Sequence, residues 1–142
     1  MTISARNVFK GKVTALKEGP IHAELEISTE GGDTIVATVT DASVRSLRLA
    51  VGSDAVAVVK APWITLLAGT PEYRFSARNQ IRGEVSGFVR GGAISEVRVA
   101  LPGGSTLSSL ITNEAVADLG LQEGTPVVAM FKASHVVVGV PA

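Results

Sequence analysis

The chain has 142 residues, with 13 Lys and Arg balancing 13 Asp and Glu for a formal net charge of zero. No global field recruits nucleic acid or an anionic membrane, so a partner has to be recognised locally. There is no cysteine, and the only histidines are His22 and His135. That composition excludes thiolate metal sites, Fe–S clusters and cysteine nucleophiles, and leaves a histidine-based metal site poorly supplied.

Val, Ile, Thr and Ala fall in short runs bounded by Gly, Pro, Ser and Asp, the pattern of strands spaced at about 8 to 12 residues. The spacing predicts strands at residues 8–16, 21–29 and 34–40, with Gly31-Gly32-Asp33 as a hairpin turn. A short helix is predicted over 41–49, where Val44, Leu47 and Leu49 are apolar and Gly52 stands as the terminating glycine. Strands at 55–60 and 63–67 follow, and residues 67–75, with Gly69-Thr70-Pro71, read as a linker. The same order then returns: strands at 80–88, 93–101 and 106–112, a helix over 113–121 before Gly124, and strands at 127–132 and 135–140.

The return is a duplication. Ser4-Ala5-Arg6-Asn7 recurs as Ser76-Ala77-Arg78-Asn79, and the same offset of 72 residues aligns 4–68 with 76–140 without a gap, with about 20 of 65 positions identical. The expected domains are therefore 1–70 and 71–142. Units this small bury only about 60% of their unfolded surface, so association with one another or with other subunits is expected. Five strands with a helix between the third and fourth give an all-β reading: two tandem OB-like barrels, each curled so that few strand edges remain open. Gly11 and Gly83 then mark sharp bends in the long first strands. No apolar run reaches about 18 residues and no leader pattern opens the chain, which leads to the expectation of a soluble, cytoplasmic protein.

A duplicated binding site keeps its donors while solvent-facing positions drift. The recurrent polar set is Ser4/Ser76, Arg6/Arg78, Asn7/Asn79, Thr40/Thr112 and Lys60/Lys132. All of these donate hydrogen bonds, two pairs are cationic, and no nucleophile, histidine and acid recur beside them, so the set describes an oxyanion receptor rather than a catalyst. The predicted helix start adds backbone N–H groups at Ala42, Ser43 and Val44, and at Glu114, Ala115 and Val116. Each element also has a plainer reading: Thr40 and Thr112 as helix caps, the lysines as solvated strand ends, the arginines as surface ion pairs. Trp63 reads as a packing residue and the two histidines as ordinary loop and strand residues. A nucleic-acid-binding OB protein and an anion-sensing interaction module are the alternatives, and an enzyme is the least supported class for want of a recurring acid–base pair.

Taken together, Ser-Ala-Arg-Asn with a Gly four residues later, Thr40-Asp41-Ala42-Ser43-Val44, and Lys60-Ala61-Pro62-Trp63 echoed by Lys132-Ala133-Ser134-His135-Val136 resemble the Mop domain of the molbindins. The resemblance covers essentially the whole chain and is to the two-domain members implicated in molybdate homeostasis. It implies binding of molybdate and to some extent tungstate, and a trimer of six Mop domains with sites where subunits meet; the charge balance and the residue set lead to the expectation of no enzymatic activity and no nucleic-acid or membrane partner. One implied set is Ser4, Arg6 and Lys60 with Thr112 and the amides of Glu114, Ala115 and Val116. The other is Ser76, Arg78 and Lys132 with Thr40, Ser43 and Val44; Ala5, Asn7, Ala61, Ala77, Asn79, Ala133 and Ser134 complete the motifs. A second kind of family site, near the threefold axis, points to Pro20, Ile21 and His22 and to Gly92, Ala93 and Ile94. Pro62 opposite Ser134, and Ala115 opposite Ser43, imply unequal sites.

Overall fold

The computed structural model describes residues 2–142. In chain order the strands are β1 (Asn7–Glu18), β2 (His22–Thr29), β3 (Thr34–Thr40), β4 (Asp54–Val59), β5 (Thr65–Ala68), β6 (Asn79–Arg90), β7 (Ile94–Ala100), β8 (Thr106–Thr112), β9 (Pro126–Phe131) and β10 (Val137–Gly139). Helix α1 (Asp41–Ser46) lies between β3 and β4, α2 (Asn113–Asp118) between β8 and β9, and single 3₁₀ turns occupy Ala61–Trp63 and Ala133–His135. Trp63 and His135, expected to open strands, sit instead in these turns.

Both helices are a turn shorter than the apolar spacing predicts, and the terminating residue is not the expected glycine. The Leu49 N–H bonds to the Val44 carbonyl at 3.0 Å and the Arg48 N–H to the Arg45 carbonyl at 3.2 Å, which is a Schellman closure. Its left-handed position is Arg48, φ 52°, matched in the second repeat by Gly120, φ 61°. Gly52 and Gly124 belong to the next turn, where their N–H groups bond to the carbonyls of Val13 and Val85.

The strands form two five-stranded sheets, ordered β10-β4-β1-β2-β3 and β5-β9-β6-β7-β8. Strand pairing is antiparallel throughout. In the first sheet β10 also contacts β3, and in the second β5 contacts β8, so each sheet curls back on itself as an OB-like barrel. Curling is concentrated in β1 and β6, whose registers against their hairpin partners shift between Val13 and Ala15 and between Val85 and Gly87. At Gly11 the neighbouring strand comes so near that a Cβ would lie 2.0 Å from the Ser28 carbonyl oxygen. Only glycine admits that approach.

Each sheet takes its last strand from the other repeat. The compact units are Met1–Val59 with Lys132–Ala142 (unit 1) and Lys60–Phe131 (unit 2). The expected division at 70/71 therefore marks the sequence duplication, whereas the folded units exchange their fifth strands. A repeated strand presents the same side-chain pattern to either sheet, so burial alone does not dictate which one it joins. Unit 1 is built around Val13, Leu25, Ile27, Ile35 and Val59, and unit 2 around Ile64, Val85, Val97, Leu107 and Phe131, all fully or nearly fully buried. In unit 2 the buried Ser109 donates through Oγ to the Ile64 carbonyl at 2.7 Å, tying the strand β8 to the incoming turn. Its counterpart in unit 1, Ala37, has no hydroxyl to do so.

Candidate functional site

The end of β3 is where the polar side chains of unit 1 converge. Thr40 caps α1: its Oγ1 accepts from the Ser43 N–H at 3.1 Å and lies 2.9 Å from Ser43 Oγ. The Asp41 N–H is taken by the Ile21 carbonyl at 3.0 Å, and N-cap geometry assigns the Val44 N–H to the Thr40 carbonyl. Of the three amides expected to face an anion, only that of Ala42 is left over. In unit 2 Thr112 accepts from the Ala115 N–H at 3.0 Å and the Asn113 N–H goes to the Ala93 carbonyl at 2.8 Å, leaving Glu114 in the same position. The threonines recur partly because they are caps, so hydroxyls rather than helix-start amides dominate the donor set.

A cavity of about 360 Å³ opens beside Thr40, lined by His22, Thr38, Thr40, Ser43 and Ser134 over a floor that includes Leu47 and Val136. All of these residues belong to unit 1. Ser134 arrives through the strand exchange: the turn Ala133–His135 packs against β3. His22 is the cross-strand partner of Thr40. The expected grouping of Thr40, Ser43 and the Lys132 segment is thus brought together. His22, expected in a separate site with Pro20 and Ile21, lines this cavity as well.

The cations leave the ladders in pairs. The β1–β4 ladder ends with Asn7 opposite Val59, so Arg6 and Lys60 are the next residues out on adjacent strands. The β6–β9 ladder ends with Asn79 opposite Phe131, placing Arg78 and Lys132 likewise. Ser4, Arg6, Lys60, Ser76, Arg78 and Lys132 are all exposed. Asn7, Asn79, Ala61 and Ala133 are buried, so their recurrence also has a structural account. In unit 2 the turn Ala61–Trp63, which follows Lys60, packs on β8.

The hairpin loops hold the helix starts. The Gly19 N–H bonds to the His22 carbonyl and the Gly91 N–H to the Ile94 carbonyl, both at 2.9 Å, while Ile21 and Ile94 are 70% and 53% exposed. Pro20, Gly92 and Ala93 are exposed beside them. These loops present apolar side chains rather than charge. Sequence reasoning also passed over Glu24 and Glu96, a recurring acidic pair; Glu24 stands opposite the cavity residue Thr38. The offset alignment contained that signal. Among the described residues there is no cluster of three or more His, Cys, Asp or Glu side chains able to hold a metal cation.

The TOBE domain model matches residues 3–66 and 76–138. The chain is 38% identical over 140 residues to the molybdenum transport protein ModE of Herbaspirillum seropedicae, covering 99% of this chain and 52% of that protein. It is 33% identical over 141 residues to the molybdenum-pterin-binding protein MopA of Rhodobacter capsulatus, covering 99% and 53%. The chain thus spans about half the length of these curated relatives. Among solved structures it superposes on the cytoplasmic molybdate-binding protein ModG, in a form with molybdate bound, with a TM-score of 0.94 and 52% identity over 99% of this chain and 100% of that one. With two copies of the domain model, curated relatives matched from end to end of its sequence and the same two five-stranded barrels, the chain belongs to the TOBE/Mop domain family as a tandem, two-repeat member.

Proposed function

We propose that the chain binds molybdate, and to a lesser extent tungstate, as a non-enzymatic protein of cytoplasmic molybdenum storage and homeostasis. The observation that carries this reading is the cavity of unit 1. Its polar lining is three hydroxyl residues at one end, Thr40, Ser43 and Ser134, with Thr38 and His22 beside them, and it includes no carboxylate. Molybdate is a dianion at neutral pH and accepts hydrogen bonds only, so a pocket lined by donors suits it. Sulfate carries the same charge, and discrimination against it falls to pocket size. The cationic pairs Arg6/Lys60 and Arg78/Lys132 complete the donor sets, joining Thr112 and Thr40 respectively.

The assembly that fits this reading is a trimer with sites where subunits meet. Ile21, Ile94, Val89, Tyr73 and Val137 are all more than half exposed, apolar side chains that contacts between subunits would cover. The low aromatic content, 4%, and the zero net charge argue against a nucleic-acid groove. A second reading, an anion-sensing module, draws on the relatives named as regulators and being about twice as long as the matched region. Pull-down from a lysate with and without molybdate separates the two.

The deciding experiment is equilibrium dialysis of the purified protein against molybdate in excess sulfate, with bound molybdenum counted per chain. Two or more molybdates retained per chain support a selective multi-site store. Binding near zero, or binding erased by sulfate, overturns the proposal.

A further inference from the structure

The two repeats share a sequence pattern but not a pocket lining. Each polar residue lining the unit 1 cavity can be followed to its equivalent across the repeat offset. His22 becomes Ile94, Thr38 becomes Leu110, Ser43 becomes Ala115 and Ser134 becomes Pro62; Thr40 alone keeps its hydroxyl, as Thr112. The strand pairing is the same in both units, since His22 lies opposite Thr40 and Ile94 opposite Thr112. Four donors are thus lost on identical scaffolding, and the difference is chemical rather than architectural.

We propose that the unit 1 pocket is the tighter of two inequivalent anion sites, and that His22 and Thr38 are ligand-contacting residues that make it so. The inference rests on the oxyanion reading above. An imidazole at the rim supplies an N–H donor when neutral and a charge-assisted one when protonated, and no other residue type changes charge so readily between pH 5 and 8. Thr38 adds an adaptable hydroxyl one step along the same face of β3. Charged groups on the elements around His22 include Lys17 and Glu18 at the end of β1, Glu24 two residues on in β2, Asp41 and Arg45 on α1, and Lys132 before the turn that carries His135.

The test is isothermal titration of the full-length protein with sodium molybdate at pH 8.0 and pH 6.5, comparing His22→Ile, His22→Gln, Thr38→Val and Ile94→His with the unchanged chain, each first checked for native circular dichroism. The unchanged chain is expected to show two classes of site, the tighter strengthening at pH 6.5. His22→Ile weakens that class by about tenfold and removes its pH dependence. His22→Gln keeps most of the pH 8.0 affinity and loses the pH dependence, and Thr38→Val weakens the same class alone. Ile94→His gives the weaker class a pH response. Native-like affinity and pH profile in His22→Ile and Thr38→Val overturn this inference while leaving the oxyanion reading intact. A pH response that survives in His22→Gln likewise overturns the role of His22. Absence of molybdate binding by the unchanged chain at both pH values overturns the inference together with the reading beneath it.

Discussion

Ser95 donates through Oγ to Asn113 Oδ1 at 2.5 Å, and the amide nitrogen of the same Asn113 donates to the Gly91 carbonyl at 3.0 Å. One side chain therefore ties the start of α2 to strand β7 and to the hairpin loop. In unit 1 the equivalent residues are Ala23, Asp41 and Gly19. Ala23 offers no hydroxyl and Asp41 no donor, and Asp41 Oδ1 is buried without a hydrogen-bond partner among the described residues.

Replacing Asp41 by Asn should restore the missing tether, because the new amide can donate to the Gly19 carbonyl as Asn113 does to Gly91. A stability gain of about 1 kcal/mol is expected. Urea denaturation followed by circular dichroism checks it; an unchanged or lowered midpoint counts against the tether.

Arg48 holds a left-handed backbone, φ 52°, at a position where Gly120 stands in the other repeat. A side chain there costs roughly 1 kcal/mol relative to glycine. Arg48→Gly should raise the thermal midpoint, and Gly120→Ala should lower it by a comparable free energy. Differential scanning calorimetry on the pair reads both signs.

Gly11 is under a different constraint, since a methyl group would meet the Ser28 carbonyl oxygen at 2.0 Å. The contact is with backbone, which cannot swing aside as a side chain does. Gly11→Ala is expected to destabilise the protein by about 3 kcal/mol or more. Its yield of soluble protein and its urea midpoint should both fall well below those of Arg48→Gly.

Thr40 has two tasks that can be separated. Thr40→Val removes the helix cap, at about 1 kcal/mol, and also the hydroxyl in the cavity. Thr40→Ser keeps both. Molybdate titration should show a loss of about tenfold or more for Thr40→Val with near-native affinity for Thr40→Ser. Equal affinities in the two variants would leave Thr40 as a cap alone.

Much of this was legible in the chain itself. Strand positions followed from runs of Val, Ile and Thr, the turns from paired glycines, and the duplication from Ser-Ala-Arg-Asn occurring twice, because these signals are local or linear. Helix length was misread at Leu49, since an apolar residue that packs after a Schellman closure looks like one more helical position. Amide availability at Ser43 was misread for the reason that makes threonine a good cap: the side chain satisfies the donor that the sequence leaves open.

The sequence by itself determined the number of repeats, the strand order within each, the cationic and hydroxyl residues that recur, and the family to which the chain belongs. Only the tertiary structure decided that β5 completes unit 2 and β10 completes unit 1, because a duplicated strand carries the same pattern of buried and exposed side chains to either sheet. That exchange brings Ser134 to the cavity of Thr40 and Ser43, and puts Pro62 in the corresponding place of unit 2. The cross-strand register then sets His22 against Thr40, a pairing between residues 18 positions apart that no local spacing specifies.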